Sequence, residues 1–280
     1  SSDLAKSHTF KRARKSLDMI FPGYILVWFF LTIQREFTMT KLLDTVLLLA
    51  LPASGKSETR TYMASLSQEQ CVNDMHMGPT LQLDDYPYVH FMHRIDEELN
   101  KRGLDYVYYK GAERPFKDPF EWGTLVELLN EDYSDLINSR VSNPESAAQQ
   151  LFDRLDNAHA KVGLERVLDK VPYGIRREMA EAMEAEVREF LSEKNSACAA
   201  DKNGKTIVIE MARGGANGAA FPLTPPRGYQ YTLSILSEEI LNRAGILYVK
   251  VTPAESRRKN YERAIPDGSS SILHHGVPLE

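Results

Sequence analysis

The chain has 280 residues and a formal net charge of -5, with 42% hydrophobic and 26% charged residues. That balance suits a globular protein with a sizeable core, built as one large domain or one domain carrying an insertion. It excludes a protein that coats nucleic acid, which needs a basic surface. Two cysteines, Cys71 and Cys198, stand far apart in no metal-binding or disulfide spacing, which implies a reducing, cytoplasmic compartment.

Residues 1–38 read as an amino-terminal extension. A basic stretch, "KRARKS", precedes an apolar run from Met19 to Ile33 that contains Pro22 and Gly23. The run is short for a membrane span, and no small-residue cleavage site follows it. A packed helix, an interface segment, or sequence upstream of a natural start at Met39 compete with membrane association, and no stable membrane insertion is expected.

From Asp44 the pattern becomes α/β. "TVLLLAL" (45–51) is a continuous apolar run of strand length, as in a parallel strand covered on both faces. A helix is expected from Ser57 to about Leu66. Further strands are expected at "TLQLDD" (80–85), "KTIVIE" (205–210) and "GILYVKV" (245–251). Strands alternating with helices predict a parallel sheet with right-handed crossovers. The second and third strands are more than a hundred residues apart, with "ESAAQQLFDRLDNAHAKVGLERVLDKV" and "GIRREMAEAMEAEVREFLSEK" between them. Their composition and periodicity predict a largely helical insertion over about 88–202, lying over one end of the sheet. "FPLTPPRGYQ" (221–230) reads as a loop before a helix from about Thr232 to Arg243.

"ALPASGKS" (50–57) follows the first strand directly. A strand that turns at once into a helix leaves backbone N–H groups pointing inward, where a phosphate can sit. Gly55 permits close backbone approach, Lys56 offsets phosphate charge, and the Ser57 hydroxyl suits a Mg²⁺ ligand. Ala50 occupies the first position, where glycine is commoner. The bland alternative is a small-residue turn with an incidental lysine.

Two more constellations bear on chemistry. "LDDYPY" (83–88) places Asp84 and Asp85 at the carboxyl end of the second strand, where open parallel sheets bind ligands. One carboxylate there can accept a hydroxyl proton and the other can organise a metal, although acids beside Pro87 also suit a plain helix start. "VTPAESRRKNYERA" (251–264) opens with Thr252 as an N-cap, Pro253 at the first helical position and Glu255 completing a capping box. Arg257, Arg258 and Arg263 follow, as mobile cations over phosphates or as a solvated basic face.

With these residues in place, the chain resembles a P-loop kinase of the nucleoside and nucleotide kinase group, to which adenylate kinase and uridine kinase belong. "ALPASGKS" matches the group's phosphate loop, "LDDYPY" is similar to the Asp-Asp-aromatic motif of uridine kinase-like enzymes, and "SRRKNYERA" looks like an arginine-bearing lid over about 253–268. The resemblance covers Asp44 to about Ala264 and implies a three-layer P-loop NTPase-type parallel sheet, with the kinase-like domain spanning 39–280. It implies ATP and Mg²⁺ held by Ala50, Pro52, Ala53, Ser54, Gly55, Lys56, Ser57 and Glu58, with Asp84 sharing the metal. Asp85, Tyr86, Glu210 and Arg213 would then contact the acceptor, although Glu210 also suits a strand-end carboxylate. The insertion is much larger than in small nucleotide kinases. The chain also ends about fifteen residues past the lid, short of the further strand and helix the group carries near the adenine, so the sheet is completed differently or lies partly outside this sequence.

The expected activity is ATP-dependent phosphotransfer to a hydroxyl or phosphate of a nucleoside, nucleotide or sugar-type acceptor. Lys56, Asp85, Asp84, Arg257, Arg258 and Arg263 would be the catalytic set. The alternatives are a nucleotide-dependent switch or ATPase acting on a protein partner, or a non-catalytic nucleotide-binding module. No Asn-Lys-x-Asp guanine motif is present, and "DKNG" (201–204) precedes a strand instead of following one. A homo-oligomer is left open, no nucleic-acid partner is expected, and His274 and His275 read as incidental tail residues.

Overall fold

The computed structural model describes residues 25–29, 42–112, 114–216 and 218–263. They divide into two compact units. The first contains 42–82, 203–214 and 242–263 together with the strand at 25–29; the second contains 83–202 and 215–241.

The first unit is an α/β fold around five strands: β1 (Ile25–Phe29), β2 (Thr45–Ala50), β3 (Thr80–Asp84), β4 (Thr206–Ala212) and β5 (Ala244–Lys250). They line up in the order β1-β5-β2-β4-β3. The strands from β2 onward form a four-stranded parallel sheet, with Leu48 opposite Glu210 on one side and opposite Leu247 on the other. The central position of β2 explains its unbroken apolar sequence, because all six of its residues are buried. Alternate side chains serve opposite faces. Val46, Leu48, Ala50, Val208, Leu247 and Val249 cluster with Met75 and Met77, while Leu47, Leu49, Ile209 and Met211 are buried from the other side. β3 is an exposed edge strand, with Thr80 and Gln82 open to solvent. β1 pairs antiparallel with β5 at the opposite edge. Over Ile25–Phe29 the amino-terminal extension is therefore a strand and not a helix, as its β-branched and aromatic residues favour.

The amino ends of the strands are tied together at Thr206, which is fully buried. Its N–H donates to the Pro79 carbonyl at 3.0 Å, and its hydroxyl donates to the Leu43 carbonyl at 2.8 Å. The same oxygen accepts the Gly78 N–H at 3.0 Å. One threonine thus links the starts of β2, β3 and β4. Gly78 is obligatory here, since a Cβ would lie 1.8 Å from the Gly204 carbonyl oxygen.

Helix α1 (Lys56–Ser65) follows β2, and Ser67 and Gln70 form a reciprocal capping box just beyond it. Its start agrees with the sequence expectation to one residue.

The second unit is largely helical: α2 (Tyr86–Lys101), α3 (Glu121–Ile137), α4 (Ala147–Lys161), α5 (Tyr173–Ala199) and α6 (Gly228–Ile235). It contains the expected insertion and also takes in 215–241. The helix expected from Thr232 to Arg243 starts earlier and breaks at Leu236. Asn130 of α3 causes the break, accepting the Ser237 N–H at 2.9 Å and donating to the Ile235 carbonyl at 3.0 Å.

Apolar packing of Tyr88, Phe91, Ile95, Leu125, Leu128, Leu151, Phe152, Met179 and Met183 fills the bundle. One polar hub runs through it. Asp132 of α3 accepts the Tyr88 hydroxyl of α2 at 2.5 Å and the Arg154 guanidinium of α4 at 2.7 Å. Lys194 of α5 reaches the same carboxylate at 2.8 Å. Four helices thereby converge on one buried charge, which is tolerable only because it is fully bonded. Glu184 of α5 caps α4 through the N–H groups of Ala147 (3.0 Å) and Ala148 (3.1 Å). Burial would push its carboxyl up, but those amides, the Ser146 hydroxyl and Arg188 outweigh that and bring it down to about 2.

Two outcomes follow from these contacts. Gly78→Ala should destabilise the protein by about 2 kcal/mol or more in urea unfolding, since neither clashing partner is a flexible side-chain end. Glu184→Gln should cost about 1 kcal/mol at neutral pH. Because the folded carboxyl is depressed, that contribution is present above about pH 4.5 and fades as pH falls toward 2. Wild type and variant should therefore converge in acid denaturation.

Candidate functional site

The segment between β2 and α1 concentrates conformational constraint in five residues. β2 ends at Ala50 and α1 starts at Lys56. Ala53 has φ 53° and Gly55 has φ 95°, so two residues of the loop adopt left-handed backbone. Ala53, Ser54 and Gly55 are buried, which means that the backbone polar groups of this turn need partners.

Those partners are specific. The Ala50 carbonyl accepts the Arg213 N–H at 3.1 Å. The Leu51 carbonyl accepts the Ser54 hydroxyl at 2.6 Å. The Pro52 carbonyl accepts the Ser256 hydroxyl at 2.6 Å. The Gly55 carbonyl accepts both the N–H of Thr59 (3.0 Å) and its hydroxyl (2.9 Å). In a trans peptide the N–H points opposite to the C=O. Tying the carbonyls of residues 50, 52 and 55 therefore turns the N–H groups of Leu51, Ala53 and Lys56 each away from its own carbonyl's partner. Residue 52, whose peptide lacks an N–H, adds nothing to that set and stiffens the turn. The amino end of α1 adds the positive end of its dipole, with Lys56 half-buried at the first helical position. Such a cradle is chemically suited to an anion.

The topology puts this turn where ligands bind in open sheets. Chain leaving β2 runs toward the β3 edge, whereas chain leaving the adjacent β4 runs back to β5 on the far side of β2. The carboxyl ends of β2 and β4 thus lie where the connections diverge. Gly214, just past β4, sits against the turn, a Cβ there being 3.5 Å from Pro52 Cδ.

The other sequence-derived residues fall into distinct settings. Glu58 is exposed in the first turn of α1. Glu210 is buried and accepts Arg60 of α1 at 2.7 Å, and Arg60 also donates to Gln82 at 2.8 Å. Glu210 is thus engaged by a residue that sequence reading passed over. Arg213 is buried, one guanidinium nitrogen donating to the Ala212 carbonyl at 3.0 Å.

Helix α7 (Pro253–Arg263) starts as expected, with the Thr252 hydroxyl accepting the Glu255 N–H at 3.2 Å. The Glu255 carboxylate does not complete a capping box there, because it is drawn to Arg258 at 2.6 Å and 2.8 Å. Arg258 also contacts Glu262, so its charge is satisfied along its own helix. Arg257 is half-buried. The side chains of Ser57 and Arg263, and His274 and His275, lie outside the described residues.

The boundary between the units falls within β3, after Gln82, so Asp84 at its end is grouped with Asp85 and Tyr86 in the second unit. Asp84 accepts the Tyr86 N–H at 2.9 Å. Asp85 is buried at the N-cap position of α2. This is the geometry expected both of a helix start and of carboxylates displayed at a strand end.

A cavity of about 560 Å³ lies on a face of the sheet, lined by Val46, Leu48, Val208, Leu247 and Met63, with Arg60 and Gln82 supplying polarity. It is mostly apolar, unlike the turn. Among the described residues no helix is long and apolar enough to cross a membrane, and no group of three or more His, Cys, Asp or Glu could hold a metal ion.

Compared with protein-family models and with curated proteins, the chain matches none.

The two left-handed residues carry a paired test. Gly55→Ala should destabilise by about 1 kcal/mol, because φ 95° is strained for any side chain. Ala53→Gly should fall within about 0.5 kcal/mol of neutral, relief of strain being offset by a freer unfolded chain. Chemical denaturation of both variants gives the comparison.

Proposed function

We propose that the protein is an ATP-dependent phosphotransferase of the P-loop kinase type. The observation that carries this reading is the loop whose carbonyls at 50, 51, 52 and 55 all have bonding partners, which aims the amides of 51, 53 and 56 away from those partners. The residues fit the group they would hold. Backbone amides of 51, 53 and 56 would grip phosphate oxygens, the Lys56 ammonium would offset their charge, and Ser57 would ligate Mg²⁺. A strand order with β4 inserted between β2 and β3 also supports the reading, since it opens the sheet at that turn.

On the sequence motif alone, Asp84 and Asp85 would supply the carboxylates of this proposal. One would take the proton from an acceptor hydroxyl and the other would order water around the metal. Glu210 enters differently from the sequence expectation. Buried and bound to Arg60, it would hold α1 against β4 ahead of any contact with the acceptor. Arg257 is the better lid cation of the described pair, because Arg258 must first leave Glu255 and Glu262. The acceptor class is a nucleoside, nucleotide or sugar derivative.

Binding of Mg·ATP should raise the melting temperature, as a ligand specific to the folded state must. ADP release should depend on an acceptor in a metabolite mixture. Lys56→Ala should reduce transfer by at least about a hundredfold while leaving the melting temperature of the free protein unchanged. Asp85→Asn should lower turnover more than ATP affinity. Slow hydrolysis independent of any acceptor would mark a switch instead, and full activity of Lys56→Ala would reject the site.

A further inference from the structure

We propose that Ser256 of α7 is a positioning residue for the phosphate site, holding the peptide that presents the Ala53 amide. The inference rests on the phosphate-loop reading and adds to it a contact from the far end of the chain. Ser256 is 7% exposed and its hydroxyl donates to the Pro52 carbonyl at 2.6 Å, across 204 positions of sequence.

The first argument is the character of the helix. A helix docked for stability buries an apolar stripe. In α7 the buried positions among the described side chains are Ser256 and Asn260, both polar and one turn apart. The hydroxyl that this face delivers goes to the loop.

The second argument is the peptide that it holds. Residue 52 is proline and offers no N–H, so the 52–53 peptide carries the next available amide of the turn. Ala53, which follows, has φ 53°, a conformation that costs a non-glycine residue about as much as one hydrogen bond returns. Rotation of the 52–53 peptide would release that strain and swing the Ala53 N–H out of the cradle. The Ser256 hydroxyl fixes the carbonyl and blocks that rotation. The sequence reading passed over this residue in favour of the arginines beside it.

The test compares wild type, Ser256→Ala and Ser256→Thr, measuring affinity for Mg·ATP, ADP and adenosine by calorimetry, with thermal unfolding of the free proteins. Ser256→Ala should bind Mg·ATP and ADP about tenfold more weakly, leave adenosine affinity unchanged, and melt within a degree or two of wild type. Ser256→Thr, which keeps the hydroxyl, should restore ATP affinity. If wild type binds no Mg·ATP, the phosphate-loop reading falls and the inference falls with it. If wild type binds and Ser256→Ala binds equally well, the tether alone is refuted. Equal losses for adenosine and ATP, or lost affinity with a lowered melting temperature that threonine does not rescue, would show a merely structural serine and overturn the proposal.

Discussion

Peptide planarity is the constraint on which the candidate site depends. A carbonyl and the N–H of the same peptide point in opposite directions, so whatever binds the carbonyl also aims the amide. Between Ala50 and Gly55 the carbonyl partners come from four places: the exit of β4 (Arg213), the loop itself (Ser54), the helix after it (Thr59) and α7 (Ser256). No local sequence rule supplies that combination. The parallel sheet brings the exits of β2 and β4 side by side, with Ala50 opposite Ala212. Strand β5 then delivers α7 next to β2. The left-handed angles at Ala53 and Gly55 are the visible cost of the arrangement, and strain of this kind persists where surrounding contacts over-determine it.

The two units solve different problems of burial. In the first, the sheet hides its backbone polarity in ladders and leaves few charges inside; Glu210 is tolerated because Arg60 meets it at 2.7 Å. In the helical unit, polar groups organise the packing. Asp132 gathers Tyr88, Arg154 and Lys194. Asp96 holds the loop at 107–109 through three backbone N–H groups at 2.7–3.2 Å. Asp156 does the same for Leu168 and Asp169. Each carboxylate lends the loop the bonds that regular structure denies it. A bundle specified this way has one arrangement in which every buried charge is met.

The strands were legible because burial on both faces leaves a continuous apolar run, and β2 and β4 have that run with little interruption. The start of α1 was legible because glycine at a positive φ is a local requirement. The end of α6 was not, because the side chain that stops it, Asn130, lies 105 positions from Ile235. The strand at Ile25–Phe29 was missed for a related reason. Four β-branched or aromatic residues and a leucine inside a longer apolar stretch fit a helix equally well until β5 offers an edge. Ser256 was hidden by its neighbours, since three arginines draw attention and a serine in a helix usually signifies nothing.

What the amino-acid order determined alone was local: where the chain is apolar long enough for a strand, where glycine allows a turn, and which side chains could meet a phosphate. Strand order, the partner of each loop carbonyl, the pairing of Glu210 with Arg60 and of Arg258 with its helical neighbours were decided only in the folded chain. The reason is that these contacts join residues far apart in sequence, and their energies exist only once the sheet has set the distances between them.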